Sequence, residues 1–205
     1  MLPTGRHHRY DWLFKDTTTP LELPVLTKTK LRLIETADFL SAPDKLELLG
    51  LMLCLWFTGE LKIKMNKQIA ELLDKLGLSW FENSYIHSKK GLIKWIQVSA
   101  NVQINQFIKK YGRTMSPMEA GLLYNYPAAD ILAFMHLVSS KNQHPRTLVG
   151  HYFGKVHSKD LYDKVYREYR TRWRLLKQTS SIIYRELTQH YKSKSRRQTP
   201  QPRAG

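Results

Sequence analysis

Residues 66–99 read NKQIAELLDKLGLSWFENSYIHSKKGLIKWIQVS, and the change of hydrophobic period inside this stretch decides the fold class. Ile69, Leu72, Leu73 and Leu76 recur at three- and four-residue steps, which gathers them on one face of a helix beginning at Asn66. Gly77 then stands where a helix closes in the left-handed conformation. Trp80 to His87 and Leu92 to Ser99 read as strands, rich in aromatic and β-branched residues, joined by the turn Ser88-Lys89-Lys90-Gly91. A helix passing directly into a hairpin predicts an α+β chain.

Toward the N-terminus the pattern is helical. From Lys28 to Leu40 the apolar positions Leu31, Ile34, Ala37 and Leu40 recur every three residues. Ser41 caps a second helix with Pro43 in its first turn, expected to run to Gly59. Its apolar run, Leu46 to Phe57, is interrupted by Glu47, contains the lone Cys54 as a buried thiol, and is too short for the roughly 20 residues that cross a bilayer. Residues 1–27 form an irregular arm, because Pro20 and Pro24 break any helix. The arm has neither a continuous apolar core nor a small-residue cleavage site, so no secretory signal is expected and the cytoplasm is the expected compartment.

Toward the C-terminus a helix is expected from Val102 to Tyr111, stopped by Gly112. Ser116-Pro117-Met118-Glu119 has the residues of a capping box, and Pro127 opens a further helix through Val138. The core of about five or six short helices and one hairpin (80–99) is expected over 28–140. A linker then spans 141–158, a long basic helix 159–192 and a disordered basic tail 193–205. The fold class is therefore α+β, predominantly helical: a compact helical core with one β-hairpin and a long basic C-terminal helix.

Charge is concentrated in that last third. Residues 141–205 hold 16 Lys/Arg against Asp160, Asp163, Glu168 and Glu186, a net +12, whereas the whole chain carries +16. Solubility alone gives no reason for such concentration, so a polyanion, nucleic acid above all, is the expected partner. On one continuous helix Tyr162, Tyr166, Tyr169, Trp173, Leu176, Ile183 and Leu187 share a stripe, with Ser180 its weak member. That stripe packs against the core or against another helix, which leaves helix-mediated protein association or self-association as the alternative function. Arg167, Arg174, Arg185 and Lys192 fall on the far side, flanked by Lys164 and Arg170. The candidate phosphate-binding set is these six with Lys177, Lys194, Arg196 and Arg197, together with Lys89 and Lys90 at the hairpin tip.

Other chemistry has less support. Glu60 and Lys62 form an E-x-K triplet such as a metal-dependent nuclease uses, but the segment before it reads as helix rather than as an aspartate-bearing strand. His144, His151 and His157 are spaced for neither helical nor finger ligation, and one cysteine excludes an all-cysteine zinc site. There is no phosphate-cradling glycine loop and no nucleophile elbow. No catalytic residue, metal or cofactor is assigned. Asn66 to Leu76 with the hairpin has the order of a recognition helix and wing, although only Asn66, Lys67 and Gln68 are placed to read bases.

The segment Gly121-Leu122-Leu123-Tyr124-Asn125-Tyr126-Pro127-Ala128-Ala129-Asp130-Ile131-Leu132-Ala133-Phe134 resembles the stretch L-G-Y-P-x-C-C-x-x-F of a family of uncharacterised, mainly archaeal proteins. The upstream order of helices and hairpin is also similar, so the resemblance covers about residues 45 to 138. It implies an order of elements and no activity. Ala129-Asp130 stand where that family has paired cysteines, and Asn125 where it has glycine, so no metal or redox role is carried over.

Overall fold

The computed structural model describes residues 23–87, 91–126, 131 and 162–197. Their order is α1 (Lys28–Glu35), α2 (Ala42–Met52), β1 (Thr58–Leu61), α3 (Lys67–Leu76), β2 (Ser79–His87), β3 (Gly91–Ser99) and α4 (Val102–Tyr111). A 3-10 turn at Gly112–Thr114, then α5 (Pro117–Leu123), α6 (Tyr162–Thr179) and α7 (Ser181–Arg197) complete it. The chain is predominantly helical α+β, with one three-stranded antiparallel sheet ordered β1-β3-β2. The expected helix after Pro127, apart from Ile131, and the linker 141–158 lie outside the described residues.

Local chemistry sets most boundaries. Ser41 Oγ accepts from the Asp44 amide to start α2, and Asn66 Oδ1 accepts from the Ile69 amide at 3.0 Å to start α3. Gly77 closes α3 at φ 73°. The capping box forms, with Ser116 and Glu119 bonding reciprocally. Two expectations are corrected. The first helix stops at Glu35, where the Thr36 hydroxyl turns back to the Arg32 carbonyl at 2.8 Å, although Ala37 and Leu40 still bury. The second stops at Met52, because Cys54 enters the left-handed region at φ 53° and the chain leaves as a strand; Cys54 itself is half-buried. Gly59 is therefore inside β1, paired with Val98, rather than past a helix end.

The sheet separates two environments. Leu61, Ile96 and Val98 enter the main core with Leu48, Leu49 of α2 and Ile69, Leu73 of α3. On the opposite face Phe81 packs with Phe107 and Ile108 of α4. That face also buries a polar set: Gln97 Nε2 donates to Thr58 Oγ1 at 2.7 Å and to the Gly59 carbonyl at 3.0 Å, while Asn105 Nδ2 donates to Ser79 Oγ at 2.8 Å. Satisfied networks of this kind hold strand register more specifically than apolar contact does.

The long helix expected over 159–192 is divided. Its two parts, α6 and α7, meet at Ser180, and Trp173 and Tyr184 lie with ring centroids 5.0 Å apart. Eleven residues of straight helix would separate them by about 16 Å along the axis, so the chain turns sharply here. Ser180 is the cause: its buried hydroxyl accepts from the Ile183 amide at 3.1 Å and donates to Glu35 Oε1 at 2.6 Å. Instead of standing apart from the core, these helices complete it, because Tyr169, Leu176, Ile183 and Leu187 belong to the same buried cluster as Leu48 and Leu73.

Candidate nucleic-acid interface

Burial of one face of α6 dictates what the other presents. Tyr169, Arg172 and Leu176 point inward, while Arg167, Arg170, Arg174 and Lys177 are exposed. At about 100° per residue these four cations occupy an arc of about 80°, and their ten-residue span is about 15 Å of helix. Arg185 is exposed on α7. The straight ridge of Arg167, Arg174, Arg185 and Lys192 does not form, since the turn at Ser180 takes α7 off the axis of α6.

Of the three acids described on these helices, two are drawn elsewhere, while Asp163 stays exposed one turn before Arg167, on the same side of α6 as the cations. Glu168 Oε1 lies 2.7 Å from Arg172, a buried arginine that also donates to the Asn125 carbonyl. Glu186 lies 3.0 Å from Lys45 of α2. Among the described residues no carboxylate pairs with Arg167, Arg170, Arg174, Lys177 or Arg185. Aromatic rings steady two of these cations: the Arg170 guanidinium is 5.8 Å from the Tyr166 ring centre, and Lys177 Nζ is 5.1 Å from that of Tyr184. Arg167 Nε donates to the Asp163 carbonyl at 3.1 Å.

Other expected residues fall differently. Tyr162 and Lys164 lie on α6, and Lys192, Lys194, Arg196 and Arg197 on α7, with side chains outside the described set; Lys89 and Lys90 lie outside it altogether. Residues 193–197, expected as disordered tail, continue α7, and Ser193 Oγ donates to the His190 carbonyl at 2.7 Å. From the apolar stripe, Tyr166 and Trp173 are half-buried against the core that Tyr169, Leu176, Ile183 and Leu187 enter.

A second cluster was only half visible in the sequence. Glu60 lies on a strand, β1, and Asp44 Oδ1 accepts from the Lys62 amide at 3.0 Å, so α2 does bring an aspartate to the E-x-K triplet. Both acids are nevertheless held by internal donors, Asp44 by Ser41 and Glu60 by the Tyr124 hydroxyl at 3.0 Å. Glu47 sits beside them, packed over Gly59, where a Cβ would lie 2.6 Å from its Oε2. Burial, then the nearby Glu60 and Asp44 charges, push the Glu47 carboxyl up to about 8 against a smaller opposing effect of Lys62, so it holds a proton at neutral pH. Burial, then Glu60, raises the Tyr124 hydroxyl; burial, then Glu47, raises that of Tyr191. The only sequence signal for Glu47 was an acid interrupting the apolar run of α2. Among the described residues no group of three or more His, Cys, Asp or Glu is placed to hold a metal ion.

No helix among the described residues is long and apolar enough to cross a membrane. No protein-family model, no curated protein and no solved structure matches this chain.

Proposed function

We propose that this chain is a non-enzymatic, cytoplasmic nucleic-acid-binding protein that takes the phosphate backbone on the exposed face of α6 and α7. The observation that carries the reading is the separation of charge on these two helices. Glu168 and Glu186 are engaged with Arg172 and Lys45, which leaves Arg167, Arg170, Arg174, Lys177 and Arg185 exposed without an acidic partner among the described residues. A solvated helix face ordinarily mixes signs evenly, whereas among the described residues of this arc of α6 Asp163 is one acid against four cations. Because α6 is anchored by buried Tyr169 and Leu176, its cations are displayed from a fixed element, which lowers the ordering cost of binding.

The test is the salt dependence of binding to RNA and DNA strands of unrelated sequence. Removing one phosphate-binding cation should lower the magnitude of the salt slope by about 0.7 to 0.9. The triple variant Arg167→Glu, Arg174→Glu, Lys177→Glu should abolish binding near physiological salt for every sequence alike, since backbone contacts carry no base information. A folded triple variant with unchanged affinity and slope overturns the assignment.

A further inference from the structure

The sheet has an open edge. β1 covers β3 only from Ile96 to Ser99, whereas β2 runs beside β3 from Gly91 to Ser99. The Ala100 amide donates to the Phe57 carbonyl at 2.9 Å, one step beyond the β1 ladder. Main-chain groups of an antiparallel ladder alternate in direction, so every second residue back from Ala100 aims its N–H and C=O toward β1. Val98 and Ile96 meet β1 in this way. Lys94 and Leu92 aim theirs to the same side, past the point where β1 has ended, and among the described residues no main-chain group answers them.

We propose that this edge receives an extended segment of an acidic partner protein as a further strand. The N–H and C=O groups of Leu92 and Lys94 stand at the spacing of a β-ladder, and an extended main chain answers all of them at once. Charge selects the partner. Lys94 is exposed on the edge and Lys64 beside it, whereas the one carboxylate lining the same groove, Glu82, lies on β2 with β3 between it and the open edge. A lysine here disfavours a second copy of a chain that carries +16, since both edges would bring the same charge. The same ammonium attracts a carboxylate placed opposite it. Beside Leu92 a groove of about 430 Å³ opens toward Ile63 and Met65. Leu92 is 59% exposed, and an apolar side chain placed opposite it removes both from water. In an antiparallel strand the residues opposite Lys94 and Leu92 are two apart and share this face, so the segment reads acid-x-apolar from its N-terminal side.

The full chain is titrated with the labelled, capped peptide Thr-Thr-Glu-Thr-Val-Thr-Thr and with a counterpart carrying Lys for Glu, each followed by fluorescence anisotropy. The Glu peptide should bind the more tightly. N-methylation of its Glu and Val amides, which face β3, should weaken binding roughly 5- to 150-fold, the loss of two hydrogen bonds. N-methylation of the Thr between them, whose amide faces away, should leave affinity within about threefold. Lys94→Glu, a change at an exposed position, should reverse the preference between the two peptides. Lys94→Pro should abolish binding, because it removes an N–H that no neighbouring strand uses, where proline is tolerated on an edge. Lys94→Glu keeps the readout should the proline variant not fold. Absence of Glu-peptide binding up to about 1 mM overturns the proposal, as does an equal loss for the two N-methylated peptides or an unchanged preference in folded Lys94→Glu. A dimer that Lys94→Pro dissociates assigns the edge to a second copy, and oligonucleotide binding that Lys94→Glu abolishes, with no competition from the Glu peptide, assigns it to nucleic acid. Either result overturns the acidic partner.

Discussion

Lys45 Nζ lies 3.0 Å from the Glu186 carboxylate, joining α2 to α7, and only 5% of the lysine side chain is exposed. The same ammonium donates to the Glu35 carbonyl at 2.9 Å. A lysine buried in the helical core thus receives its counter-charge from the C-terminal helix, which makes that helix a structural part of the core.

Removing one partner should therefore cost more than removing both. Glu186→Ala is expected to destabilise by roughly 2–3 kcal/mol, below the 3–5 typical of a fully buried pair because the glutamate is partly exposed. Lys45→Met with Glu186→Leu should recover most of that loss. Urea denaturation of the two single variants and the double variant checks this, and additive losses would show that the pair is not coupled.

Ser180 joins α6, α7 and α1 through one hydroxyl. Ser180→Ala should destabilise by about 1–2 kcal/mol, the combined loss of a helix cap and a bond to a carboxylate. Thermal melts followed by circular dichroism measure it, and Ser180→Thr, which keeps the hydroxyl, should lose less.

Glu47 predicts a pH dependence of fixed sign. Its carboxyl is raised to about 8 in the folded chain from an ordinary 4.5, so between these values the folded state binds more protons than the unfolded state. Stability should fall as pH rises through that window and level off above it. Glu47→Gln should remove this slope, gaining on the order of a few kcal/mol over the parent above about pH 8 and nothing below about pH 4.5. Urea midpoints taken from pH 4 to pH 9 decide it; parallel curves for the two proteins would contradict the assignment.

Gly50 is fixed by packing. A Cβ at this position would fall within the Trp56 indole, whose Nε1 donates to the Glu47 carbonyl at 3.1 Å. Gly50→Ala, which ordinarily favours a helix by about 1 kcal/mol, should here destabilise by roughly 1–3 kcal/mol. A double-mutant cycle with Trp56→Leu should show partial recovery of the melting temperature.

Local chemistry determined a large share of this fold from the sequence. Caps at Ser41, Asn66 and Ser116, the left-handed Gly77 and the switch of period between Leu76 and Trp80 each act within a few residues, so the helices and hairpin they bound were legible. The uneven charge was legible too, since it needs only counting. Strand β1 was not: Thr58 to Leu61 is too short to show a period, and it is a strand because β3 offers it an edge. The bend at Ser180 was likewise out of reach, because its hydroxyl finds Glu35 145 positions away, and a serine within an otherwise helical stripe gives no sign of that partner. Which cations stay exposed, which acids are diverted to Arg172 and Lys45, and why Glu47 keeps its proton all depend on residues distant in sequence meeting in low-dielectric surroundings. Tertiary packing alone decides that.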